Sequence, residues 1–176
     1  MPNWCNNVFH IHGKQEEIAA FLAKFTDKKC FSFNDFVPIP KEEEDNWYDW
    51  NCEHWGTKWD LNKEMTTVTP LDTEIQVEAP TAWAPPLKFF ETLAKEYPTM
   101  TFTVSYHEEG MMFCGFARWF EGKEETNVAL TYESSKHLKE LFDEYDCEYT
   151  EAWWPPSESE LEEEEEEQED EEVKAA

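Results

Sequence analysis

Two histidines one residue apart, His10 and His12, begin the chain's short inventory of reactive groups. On an extended strand, positions i and i+2 share a face, so both imidazoles reach one side, as two metal ligands do. Two histidines are half a zinc site, because a catalytic zinc takes three protein ligands. No metal and no cofactor is therefore expected, and the pair reads as exposed sheet histidines. The five cysteines (Cys5, Cys30, Cys52, Cys114, Cys147) are odd in number and scattered, with no C-x-x-C pair. That pattern reads as reduced thiols. Cys114, inside Phe113-Cys114-Gly115-Phe116, reads as core filling rather than as a nucleophile with a positioned base. No G-x-S-x-G, H-E-x-x-H or glycine-rich phosphate loop occurs, and the chain has only 5 glycines. With 41 acidic residues, pairs such as Glu108 and Glu109 carry no information about acid–base chemistry. No catalytic residue is assigned.

The remaining chemistry is aromatic and electrostatic. Nine tryptophans are present, and Trp4, Trp55, Trp59 and Trp83 stand in short motifs with Lys58 and Asp60 beside them. Packing at a domain edge accounts for such residues, as does a binding hot spot. The net charge is -27, from 41 acidic and 14 basic side chains. Twelve acids and one lysine lie from Ser157 onward, which leaves 29 acids and 13 basic groups, or -16, on residues 1–156. A body of that charge opposes direct nucleic-acid binding and anionic lipid, and attracts basic protein surfaces. No apolar run approaches the roughly 20 residues that span a bilayer. The N-terminus lacks the basic start and apolar block of a signal peptide, so a cytoplasmic location is expected.

Periodicity supplies the elements that position these residues. A strand is expected over 4–12, ending at Gly13. A helix follows over about 14–25, because Ile18, Phe21, Leu22 and Phe25 recur at helical spacing. A second strand is expected near 30–37, closed by Pro38 and Pro40. Residues 41–66 read as a tryptophan-rich insertion whose short helix is capped by Asp45 and ended by Gly56. Alternation marks a strand at 73–79, and Pro85-Pro86 opens a helix. A strand at 99–106, a turn at Glu108-Glu109-Gly110 and a strand at 111–120 form a hairpin. A short strand at 127–132 and a third helix capped by Ser134 or Ser135 complete a domain over 1–156. Residues 157–176 read as a disordered acidic tail. The order βαββαβ predicts an α+β, ferredoxin-like antiparallel sheet with helices on one face.

Four motifs carry a resemblance. Pro2-Asn3-Trp4-Cys5-Asn6-Asn7, Trp55-Gly56-Thr57-Lys58-Trp59-Asp60, Thr81-Ala82-Trp83-Ala84-Pro85-Pro86 and Tyr106-His107-Glu108-Glu109-Gly110 are similar to the Api92-like family. The resemblance covers roughly residues 2–120 and leaves out the third helix and the tail. It implies a ferredoxin-like domain and a phage, plasmid or bacterial setting, and it transfers no activity and no site residue. The strand order of such a sheet, fourth-first-third-second, brings three of these motifs to one end, while His107 lies at the far end from His12. If the insertion folds back, Trp4, Trp55, Lys58, Trp59, Asp60, Trp83 and His107 form one edge cluster, the candidate binding site. The function expected is a non-enzymatic acidic binding protein that engages a basic protein surface, in the manner of a nucleic-acid mimic. A small ligand-binding domain or enzyme at the edge cluster is the alternative, and a structural component of a larger assembly is a third.

Overall fold

The computed structural model describes residues 3–26 and 30–131. Six strands form one antiparallel sheet: β1 (Trp4–His12), β2 (Thr67–Pro70), β3 (Glu74–Ala82), β4 (Thr101–Glu108), β5 (Phe113–Phe120) and β6 (Lys123–Thr131). Their order across the sheet is β2-β3-β1-β4-β5-β6. Helices α1 (Gln15–Leu22) and α3 (Leu87–Glu96) follow β1 and β3, and α2 (Trp47–His54) lies in the insertion. With β1, α1, β2, β3, α3 and β4 taken in turn, this is the βαββαβ ferredoxin-like arrangement, extended at one edge by the β5–β6 hairpin. That hairpin closes through Glu121 and Gly122, both at positive φ (50° and 74°), the conformation that two-residue turns require.

The core follows from alternation. Phe9 and Ile11 of β1, Ile75 and Val77 of β3, and Phe102 and Val104 of β4 are all buried on one sheet face. Ile18 and Phe21 of α1 and Phe89, Phe90 and Leu93 of α3 cover them. The rings interlock: Phe9–Phe90, Phe21–Phe36 and Phe33–Phe89 have centroids 4.8, 4.4 and 4.5 Å apart. Such pairs each contribute about 0.5–1.5 kcal/mol beyond area burial.

Three expectations need correction. Residues 30–37 do not form the second strand of the sheet. Only Cys30 makes a bridge, and Phe33–Asp35 is a 3-10 turn. Asp60 explains this. Its Oδ1 accepts from the backbone N–H groups of Phe33 (2.7 Å) and Leu61 (2.7 Å), and its Oδ2 from Asn34 N–H (3.1 Å) and Ser32 Oγ (2.6 Å). These donors are taken by the carboxylate instead of a neighbouring strand, while Phe31, Phe33 and Phe36 still reach the core. The second strand is β2, immediately after the segment read as insertion, and it pairs Val68 with Val77. In the insertion, a 3-10 turn over Lys41–Asn46 precedes α2, so Asn46 rather than Asp45 stands at the N-cap. Gly56 does end the helix, with φ +85° and its N–H donating to Asn51 O at 3.1 Å. His10, finally, is buried, not exposed.

The expected third helix, Cys147, the close of the domain at 156 and the acidic tail lie outside the described residues. Among the described residues no helix is long and apolar enough to cross a membrane. Cys5, Cys52 and Cys114 are free thiols.

Two predictions follow from these contacts. Asp60→Asn replaces an acceptor oxygen with an amide facing N–H and O–H donors, and should lower the unfolding free energy by about 2 kcal/mol in urea denaturation. An unchanged midpoint would show that the clamp does not hold the turn. The second concerns pH. Burial pushes the Cys114 thiol from 9.0 up to about 12 and the Tyr106 phenol from 10.0 up to about 12. Burial, reinforced by Glu108, raises the Cys5 thiol as well. The folded state holds these groups neutral while the unfolded chain releases their protons, so this stability is complete below about pH 9 and is lost as pH rises toward 12. In reducing buffer the melting temperature should fall across that window, and Cys114→Ala should flatten the fall.

Candidate edge cluster

The antiparallel register fixes one end of the sheet. Trp4 pairs with Ala82 and Cys5 with Thr81, while Asn6 pairs with His107 on the other side. Trp83 N–H donates to Asn3 O at 3.0 Å, which ties the chain beyond β3 to the start of β1. Asn7, buried between them, donates to Cys5 O (2.8 Å), Ala79 O (2.9 Å) and Thr81 Oγ1 (3.0 Å). Three of the four motifs therefore meet here, as the strand order requires.

The insertion folds back onto the same end. Thr57 Oγ1 donates to Ala82 O at 3.0 Å, and Phe89 N–H donates to Trp55 O at 3.3 Å. A Cβ at Gly56 would stand 3.3 Å from Pro85 O, so the close approach suits glycine as well as its backbone conformation does. Trp59 then packs beside Trp4, with ring centroids 6.3 Å apart. The Lys58 ammonium lies over three rings: Trp59 at 4.4 Å, Trp83 at 4.9 Å and Tyr48 at 5.5 Å. These are cation–π distances.

The seven candidate residues divide into two groups. Trp4, Lys58, Trp59 and Trp83 form one contiguous patch, in which Trp59 (37% exposed) and Trp83 (43%) face solvent. Trp55 is 2% exposed, and its indole N–H donates to Val37 O at 2.9 Å, so it belongs to the core. Asp60 spends its oxygens on the 32–34 turn. His107 is buried, with its Nε2 3.3 Å from Asn6 Nδ2. Burial pulls its pKa below the ordinary imidazole value, against the opposing pull of Glu109 and Glu108. Tyr48 joins the patch and Trp47 stacks edge-on against it at 5.9 Å, both exposed. Sequence reasoning did not select these two. Their signal was the run of aromatics in Trp47-Tyr48-Asp49-Trp50: Tyr48 stands on the helix side away from the buried Trp50, while Trp47 shares the face of Trp50 and is left exposed by its place at the first turn.

The backbone at Trp83 is unusual. Its φ is +69°, a left-handed conformation that a bulky side chain adopts at a cost of about 1–3 kcal/mol. The strain sits at a patch residue that is held both by Asn3, just before β1, and by Lys58.

A search of curated proteins gave no match. A crystal structure of the protein api92 from Yersinia pseudotuberculosis is similar to 74% of this chain and 98% of its own, at 9% identity and a TM-score of 0.49. A family model described as the ferredoxin-like domain in Api92-like protein matches residues 54–148. The match starts after β1 and α1 and runs past residue 120 into the segment expected to hold the third helix, a different span from the one that carried the resemblance. It takes in more than half of the 176 residues, and the chain belongs to the Api92-like family.

Proposed function

We propose that this protein is a non-enzymatic binding protein of phage or mobile-element type that works in the cytoplasm and engages a basic protein surface. The observation that carries this reading is the exposed patch of Trp47, Tyr48, Trp59 and Trp83 set at the end of an acidic stretch. Glu42, Glu44, Asp45 and Asp49 are exposed on the turn and helix that present Tyr48. Among the described residues, ion pairs occupy Glu91, Glu96 and Glu125 but none of these four. An aromatic centre with a charged rim is the composition of a protein–protein hot spot. Negative charge around it selects a cationic partner and speeds encounter.

The partner class follows from the same charges. Residues 1–131 hold 22 acids against 11 basic groups, so nucleic acid and anionic membrane are repelled. A nucleic-acid-binding protein fits best, its basic groove accepting carboxylates in place of phosphates. The second reading, a small ligand-binding domain or enzyme at this edge, draws on Lys58 between two indoles, where an anionic ring could stack. The engaged oxygens of Asp60 weaken it, since they leave Lys58 without the acid that such a site would pair with it.

Two variants separate binding from folding. Trp83→Gly removes an exposed ring and relieves the left-handed backbone, so stability should change by less than about 1 kcal/mol. Partner capture should nevertheless fall, as it should for a Glu42→Lys, Glu44→Lys double variant. Capture by the wild type should be strong at about 0.1 M salt and lost near 1 M, where the Debye length drops from about 10 Å to about 3 Å. Salt-independent capture, or capture indifferent to both variants, would refute the proposal.

A further inference from the structure

We propose that His10, His12 and Glu74 form a binding site for a divalent first-row transition metal ion of the zinc class. The register supplies the ligand that the His-x-His spacing lacked. His12 stands directly opposite Glu74 across the β1–β3 pair, and His10 stands opposite Gln76, one diagonal step away. All three side chains therefore project from the sheet face opposite the helices. His10 Nδ1–H donates to Glu74 Oε1 at 2.6 Å, and His12 Nε2 lies 3.5 Å from the same oxygen. The two imidazoles are nearly parallel, at 6° with centroids 6.1 Å apart.

One ligand atom from each residue lies within 4.8 Å of the others. Ligands about 2.1 Å from a tetrahedral zinc stand about 3.4 Å from one another, so small side-chain rotations bring all three onto one ion. Two imidazoles and a carboxylate suit zinc, cobalt and iron, whereas calcium and magnesium prefer all-oxygen sets. The surroundings favour a bound ion. His10 is 6% exposed, which limits its competing contacts with water, while the His12 side chain is 44% exposed and leaves an entry path. Arg118, placed across Thr103 from His10, is ion-paired with Glu125. Three protein ligands leave a fourth position open to water or to a partner's side chain. The site is separate from the edge cluster, at the opposite end of β1 from Trp4.

The test is zinc titration of chelator-treated full-length protein, followed by calorimetry, with visible absorption of the cobalt form as a second readout. One strong site per chain is expected above the weak, multiple binding of the acidic surface, together with the ligand-field bands of four-coordinate cobalt. His12→Ala and Glu74→Gln, both on partly exposed side chains, should each weaken the strong site at least about tenfold. Glu78→Gln, on the same strand and also exposed, should leave it unchanged. Circular dichroism checks that each variant is folded, and His12→Asn replaces His12→Ala if the latter is not. Weak multiple binding alone, or a strong site that survives both ligand variants, would overturn the assignment.

Discussion

The position of β1 between β3 and β4 governs everything else in the described structure. This strand is the only one that links the two halves of the sheet, and its register with each neighbour is continuous over most of its length. Because side chains alternate, a slip of one residue would carry Phe9 and Ile11 out of the core and bring Val8 and His10 in. The aromatic core therefore enforces the register with the full free energy of burying those rings. That same register places Trp4 beside Ala82, Asn6 beside His107 and His12 beside Glu74. Both candidate sites are consequences of one packing constraint, at opposite ends of a single nine-residue strand.

Much of this was legible in the sequence, for a physical reason. Alternation and helical spacing report which face of a local segment is apolar, and β1, β3, β4, α1 and α3 are governed by that face alone. The hairpin of β4 and β5 was equally readable, since Glu108 accepts from Gly110 and Met111 N–H and so shapes its own turn. Residues 30–37 were not readable in this way. Phe31, Phe33 and Phe36 are apolar at positions that a strand or a tight turn would both bury. The choice was made by Asp60, more than twenty residues away, whose carboxylate takes the N–H groups that a strand would have paired. A long-range polar contact of this kind leaves no local period. The loss of that strand is also why β2, only four residues long and partly exposed, takes the outer place in the sheet.

The candidate site was legible to the same degree. Topology alone brought Trp4, Trp83 and His107 to one end, because strand order fixes which termini are neighbours. It could not divide the insertion's tryptophans. Trp55 and Trp59 are four residues apart and similar in setting, yet one is in the core and the other is on the surface. The difference arises from the turn at Gly56 and from the docking of Thr57 on Ala82, which rotates Trp59 toward Trp4. Glu74 was missed for a related reason. Glu74 and Glu78 alternate with the apolar residues of the same strand, and only standing opposite His12 distinguishes Glu74.

The acidity of the chain connects the two proposals more closely than their separation suggests. A surface with twice as many acids as basic groups over residues 1–131 sustains a negative potential that raises the local concentration of any cation. For a protein partner, that potential acts at the aromatic patch, where burying the rings supplies affinity and the charges supply selectivity and rate. For a metal ion, it acts at the far end of β1, where two imidazoles supply the discrimination that carboxylates alone lack. In each case the field gathers cations without distinguishing among them, and a small set of positioned side chains decides which is kept. In both proposals, selectivity would reside in where aromatic and imidazole rings interrupt a predominantly acidic surface.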